Sequence, residues 1–172
     1  MAHIFKGKFS KLESEERKKL LPVDKILSQL NIKEKTVIDF GCGIGYFSIP
    51  ISKLVKKVIA VDLSESMLVE LGRRIKTENI ELVKSDSIVG LKADLILVVQ
   101  VLHEVPDAKK FMSECFDSLN ENGRLIIIDW AKKESSFGPP SNHRISKDEV
   151  LAMTDKKAIE HDIDDSLYFL EF

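Results

Sequence analysis

A chain of 172 residues, 44% apolar and 31% charged, suits one soluble α/β domain with a sizeable core. Its 26 basic and 28 acidic residues leave a net charge of −2, which carries no electrostatic footprint for nucleic acid or an anionic membrane. No stretch near the N-terminus is apolar enough for a signal or membrane segment, and the only cysteines, Cys42 and Cys115, suit a reduced interior, so a cytoplasmic protein is expected.

Residues 10–31 are charged and helical in pattern. Leu20, Val23, Leu27 and Leu30 make an apolar stripe, and Pro22 suits the first turn of a second short helix. Strands are predicted at 36–40 and 57–61, with a helix at about 46–54 between them. A second helix runs from the N-cap Ser64 to about Lys76, and a third strand spans 80–84. Segment 85–92 is too short for a full crossover helix. The unbroken apolar run 95–99 reads as a central parallel strand covered on both faces. Asp107 opens a helix ending near Leu119, where Asn120-Glu121-Asn122-Gly123 is a stop signal, and a fifth buried strand lies at 125–128. After an ordered loop at 137–145, Ser146-Lys147-Asp148-Glu149 fits a capping box for a helix to about Met153. Residues 157–163 and 167–172 alternate as a hairpin around Asp164-Asp165-Ser166. The expected fold is α/β: a doubly wound, Rossmann-like seven-stranded sheet with five parallel strands and a C-terminal antiparallel hairpin. It forms one domain over 1–172, with a helical cap at 1–31, a ligand-binding core at 36–129 and a tail at 130–172.

The first strand runs into Asp39-Phe40-Gly41-Cys42-Gly43-Ile44-Gly45, and the second ends in Asp62, about 20 residues beyond Gly41. Glycines so spaced let backbone N–H groups approach a ligand at a helix N-terminus, and the distal acid can bind a ribose diol. Asp39 faces the same crevice, where its charge repels a pyrophosphate and attracts an ammonium or sulfonium group. Tyr46 also stands where a dinucleotide fingerprint needs Gly or Ala. The pair of acids therefore points to S-adenosylmethionine (SAM) rather than NAD.

The glycine turn, Val58 to Asp62, Ser85-Asp86-Ser87, the run Gln100 to Asp107 and the closing Asp129-Trp130, Gly138-Pro139-Pro140 and Arg144-Ile145-Ser146 together resemble the class I SAM-dependent methyltransferases. The segment after the fourth strand is similar to that of small-molecule members of the quinone-biosynthesis type. The resemblance implies that Asp39 serves the amino-acid end of SAM, directly or through water. Gly41, Cys42, Gly43 and Gly45 form the cofactor turn, and Asp62 takes both ribose hydroxyls. Leu63 and Met67 flank the adenine, Asp86 with Ser87 reads its amino group, and Gln100 closes the site.

Methyl transfer is an in-line displacement, and a base is needed only if the acceptor must lose a proton. His103, after the fourth strand, is the candidate base, the alternative being a strand-end histidine that lines the pocket or pairs with Glu104; Glu104 is itself a candidate substrate residue. Phe9 and Trp130 are candidates for an apolar acceptor wall. His143 and Arg144 are candidates for orienting an acidic or phosphorylated acceptor. His103-Glu104-Val105-Pro106-Asp107 lacks the second histidine of a zinc motif, so no metal is expected. The Asn/Asp-Pro-Pro-Tyr/Phe segment of base-modifying enzymes is missing after the fourth strand. A small-molecule acceptor follows, of unidentified nature and with the oligomeric state open. The alternatives are a SAM-binding regulatory module without turnover, and an aminopropyl transferase using decarboxylated SAM.

Overall fold

The computed structural model describes residues 12–135 and 137–172. Seven strands form one sheet in the order β3-β2-β1-β4-β5-β7-β6. The parallel strands are β1 (Thr36–Phe40), β2 (Lys57–Asp62), β3 (Ile80–Lys84), β4 (Ala93–Val99) and β5 (Leu119–Trp130). β7 (Leu167–Glu171) runs antiparallel to β5, and β6 (Ile159–Glu160) antiparallel to β7. The expected sheet is therefore present, with a shorter hairpin than the alternation at 157–163 suggested. Ile159 stays exposed and only two residues of that segment pair.

The apolar strands sort by parity onto two faces. Val37, Leu95, Leu97, Ile126 and Ile128 face one side, packed by α2 (Val23–Ser28), α3 (Ser48–Ser52) and α4 (Glu65–Arg74). Ile38, Ile96, Val98, Leu125 and Ile127 face the other, packed by α5 (Ala108–Ser118) and α6 (Lys147–Leu151). Ile88, fully buried, covers that face from the abbreviated crossover between β3 and β4.

The N-terminal prelude is a pair of short helices, α1 (Glu15–Leu20) and α2, broken at Pro22. Its deepest anchors are Leu21 and Ile26, whereas Leu20 and Val23 of the expected stripe are only partly buried. Fully burying each anchor contributes roughly 1.5–3 kcal/mol, which fastens a cover lacking long-range strand pairing. Tyr46 fastens it again, its hydroxyl donating to the Leu21 carbonyl at 2.8 Å.

Several boundaries shift for local reasons. The helix after the glycine turn is confined to α3, because 46–47 are still in the turn. Ser64 does not cap α4 with its side chain. Its hydroxyl meets that of Ser66, and its backbone N–H goes to Asp62. The stop signal at 120–123 is absorbed into an irregular start of β5, with Asn122 at φ 59° and a register shift opposite 93–95. Asp107 and Ser146 cap α5 and α6 as expected, the latter through a complete capping box.

Candidate active site

Strand order reverses between β1 and β4, so their carboxyl ends diverge and leave a crevice. A cavity of about 900 Å³ opens there, within the size range of small-molecule sites. The glycine turn forms its floor. Asp62, Leu63, Ser64 and Met67 line one side, with Ser85 and Asp86 beyond them. Gln100, Val101 and the segment 103–106 line the other side. Trp130, Phe137, Gly138 and Pro139 close the far end, and Arg17 with Tyr46 lies under the N-terminal cover.

The turn is built for close backbone approach. Gly41 has φ +73°, and a Cβ there would lie 2.3 Å from Val101 Cγ2. Gly43 has φ +53°, and among the described residues a Cβ there would meet only Leu12 Cδ1, at 3.8 Å; Gly43 lines the cavity. Gly41→Ala combines left-handed strain with overpacking. It is expected to cost about 1–3 kcal/mol in urea unfolding.

Asp62 braces this turn. One oxygen accepts from Gly43 N and the other from Ser64 N, each at 2.8 Å. Burial raises its pKa, and the two backbone donors oppose that rise. Each carboxylate oxygen keeps a second acceptor position on the cavity side. Leu63, Met67 and the exposed Asp86 also line the cavity. Cys42 lines it with a thiol pushed far up by burial and by Asp39 and Asp62, which leaves it inert as a nucleophile.

Three expected cofactor residues lie off the cavity wall. Asp39, 3% exposed, lies beneath the turn and accepts from Ser48 Oγ at 2.5 Å, so direct ligand contact is closed to it. Burial pushes its carboxyl up to about 6, and neighbouring Asp62 adds to the rise. Ser48 and Arg17 oppose it. Gly45 serves packing, since a Cβ there would lie 2.3 Å from Leu71 Cδ1 of α4. Ser87 forms a local turn, its N–H donating to Ser85 Oγ and its hydroxyl accepting from Val89 N.

Gln100 does line the cavity. It is a non-glycine residue at φ 55°, its N–H donates to the Ile128 carbonyl at 2.7 Å, and its Nε2 is buried without a hydrogen-bond partner among the described residues. Such a backbone conformation persists only where the surrounding structure over-determines it. Arg17 was not read from the sequence. Its guanidinium lies 5.4 Å from the Tyr46 ring, with Nε buried and without a hydrogen-bond partner among the described residues. Burial lowers its pKa, opposed by Tyr46 and Asp39.

At the acceptor end, His103 sits in a 3-10 turn, Leu102–Glu104. Its Nδ1 lies 2.7 Å from Asp129 Oδ1, and its backbone N–H donates to Asp129 Oδ2 at 3.2 Å. Glu104, a candidate substrate residue, lines the cavity and lies 3.9 Å from Nε2, beyond hydrogen-bond range. Burial depresses the His103 pKa, but the Asp129 hydrogen bond and the charges of Asp129 and Glu104 outweigh it against Arg144, and the net shift is upward.

Trp130 and Phe137 form an aromatic wall, their centroids 5.7 Å apart. Phe9, its other expected member, lies outside the described residues. The assignments of His143 and Arg144 to the acceptor are corrected. His143 is exposed and away from the cavity. Arg144 is 3% exposed, and its guanidinium donates to the carbonyls of Ala131, Lys133, Phe137 and Pro139 and to Ser135 Oγ. It also lies over the Trp130 ring, at 5.3 Å. With all five donors used, it holds the loop rather than a substrate. Among the described residues no cluster of three His, Cys, Asp or Glu could hold a metal, and no helix is long and apolar enough to cross a membrane.

A family model described as a methyltransferase domain matches residues 13–157. The chain belongs to this family, in its class I SAM-dependent branch, and SAM is its cofactor. A SAM-dependent methyltransferase structure from Aquifex aeolicus is 26% identical, with a TM-score of 0.88 over 98% of both chains. The magnesium protoporphyrin IX methyltransferase of Synechocystis PCC 6803, solved with bound SAM, has a TM-score of 0.71 at 19% identity, covering 98% of this chain and 85% of that one. Ubiquinone biosynthesis O-methyltransferases are among the curated relatives. That of Coxiella burnetii is 28% identical over 111 residues, 59% of this chain and 46% of the relative. That of Idiomarina loihiensis is 28% identical over 150 residues, 73% of this chain and 62% of the relative. The chain thus spans about half the length of the Coxiella relative.

Proposed function

We propose that the protein transfers the methyl group of SAM to a small, largely apolar molecule. The observation that carries this reading is one cavity with two chemically different ends: a glycine turn braced by Asp62, and an aromatic wall with an oriented imidazole. Three features support the fit of the cofactor: the cavity-lining Gly43, the spare acceptor positions of Asp62, and the Nε2 of Gln100, which has no hydrogen-bond partner among the described residues. When bound, SAM supplies a methyl group already activated on a positively charged sulfur.

In this reading the chain provides binding and alignment. Asp62 accepts from the ribose hydroxyls while holding Gly43 N in place, and Leu63 and Met67 sandwich the adenine, with Asp86 at its amino edge. Arg17 meets the cofactor carboxylate, and Asp39 contributes its field from beneath the turn. Gln100 donates across the middle of the cavity. Trp130, Phe137, Val105 and Pro106 hold the acceptor in line and exclude water, the kind of positioning that can supply roughly 7–11 kcal/mol. The ubiquinone biosynthesis O-methyltransferases among the relatives favour oxygen as the accepting atom.

Parallel calorimetric titrations with SAM, S-adenosylhomocysteine, decarboxylated SAM and NAD test the reading, followed by detection of S-adenosylhomocysteine with a panel of apolar acceptors. Micromolar binding of the first two and weak binding of the others is expected. A preference for decarboxylated SAM would instead identify an aminopropyl transferase. Asp62→Ala is expected to weaken SAM by roughly 1.5–3 kcal/mol, and unchanged affinity would remove Asp62 from the ribose site.

A further inference from the structure

Asp129, at the carboxyl end of β5, is 1% exposed and deeply committed. Oδ1 accepts from His103 Nδ1 at 2.7 Å and from Trp130 N at 2.8 Å, and Oδ2 accepts from His103 N at 3.2 Å. All of these partners present an N–H when the ring carries its proton on Nδ1. A carboxylate at that edge fixes this tautomer and leaves the opposite nitrogen, Nε2, with a free lone pair. His103 itself lines the cavity beside Trp130.

Resting on the functional reading above, we infer that Asp129 is a positioning residue: it holds His103 so that Nε2 takes the proton of an acceptor hydroxyl during methyl transfer. The acceptor O–H bond breaks and its proton passes to Nε2. The oxygen electron pair forms the new O–C bond, and the pair of the C–S bond broken in that step stays on sulfur. Solvent then takes the proton from the imidazolium. The proposal goes beyond a base at His103. It assigns the task to Nε2 alone and makes the pH dependence a property of the pair. The charged and titratable groups around the pair are Glu104 and Arg144, with the Tyr168 hydroxyl influenced by Asp129 across the β5–β7 pairing. Glu104 strengthens the imidazolium and Arg144 opposes it.

Long-range proton–nitrogen spectra of ¹⁵N-histidine protein test this without turnover. His103, assigned by loss of its signals in His103→Gln, is expected to carry its neutral-state proton on Nδ1. His161, whose Nε2 lies 2.8 Å from Glu171, provides an internal control with the opposite tautomer. Asp129→Asn, which leaves one amide oxygen and an NH2 facing three N–H donors, is expected to weaken the Nδ1–H preference. It should also lower the His103 titration midpoint and cut kcat about 100-fold with SAM affinity within two-fold. The double variant with His103→Gln should lose no more than either single change. A wild-type His103 protonated on Nε2 would overturn the inference even if Asp129→Asn fails to fold, as would an Asp129→Asn enzyme with unchanged kcat and pH profile. Absence of SAM binding would overturn the functional reading, and this inference with it.

Discussion

Replacing Arg144 by methionine is expected to abolish acceptor turnover while leaving SAM affinity within about two-fold. The guanidinium gathers main-chain carbonyls from positions 131 to 139 and braces Trp130 from behind. Methionine has similar bulk and no donor, so those carbonyls must find water, and the loop can reach water only by leaving the wall. Hydrogen bonds to a charged group contribute roughly 1.5–3 kcal/mol apiece, but an opening loop recovers most of that from solvent. The expected net loss in urea unfolding is therefore about 2–3 kcal/mol, small beside the functional loss. Phe137, Gly138 and Pro139 depart together, because Gly138 at φ +90° packs within 2.9 Å of the Trp130 ring where its Cβ would be. The hydrogen bonds of Arg144 all go to residues 131–139, on the far side of the cavity from the glycine turn in this reading. New proteolytic cleavage between 131 and 143 would report the opening. Retained turnover with an intact loop would show that Arg144 adds stability alone. Arg144→Lys should be intermediate, since an ammonium cannot match the five-donor fork.

The same residue shows why part of the site was hidden from sequence. Arg144 follows Asn142 and His143 in a polar stretch, which reads as solvated charge. Its burial depends on a loop folding back over it, and local pattern does not encode that. Asp129 and His103 are 26 residues apart and meet only because β5 lies beside β4. Arg17 belongs to the charged run Glu15-Glu16-Arg17-Lys18-Lys19, and nothing in the spacing distinguishes it from its neighbours. It reaches the cavity because Leu21 and Ile26 anchor the cover. What was legible is local: a buried parallel strand is a continuous apolar run, and a tight turn facing a ligand needs glycine. Hence the sheet, the glycine turn and Asp62 were readable. The role of Gly45 was misread, because a glycine that admits a helix and one that admits a ligand look alike in sequence.

Asp39→Asn is expected to stabilise the ligand-free protein at pH 7.5 and to weaken SAM binding at the same pH. The native carboxyl is held at about 6, against 3.8 as its ordinary value, chiefly because burial penalises its charge. Between these two values the native state holds the proton and the unfolded state has released it. Stability therefore falls as pH rises through that window, and above it the protein carries the full cost of a buried charge. A shift of about two units corresponds to about 3 kcal/mol at most. Asparagine removes that cost and can still accept from Ser48 Oγ, the only side chain hydrogen-bonded to Asp39 among the described residues. The wild-type midpoint should decline between about pH 4 and 6 relative to the variant, and run parallel to it above that. Binding runs the other way. A cationic ligand above the turn favours the ionised carboxyl, so below pH 6 binding must expel a proton. Wild-type affinity should then rise, by up to about ten-fold, as pH passes from 5 to 7. Asp62 and His103 are also shifted upward and titrate in both proteins, so the difference between the two affinity curves isolates Asp39. Parallel curves would show that its charge is screened from the ligand. A variant curve that rises less than the wild-type curve, together with a more stable fold, would mean that the chain maintains a destabilising buried charge because the cofactor is positive.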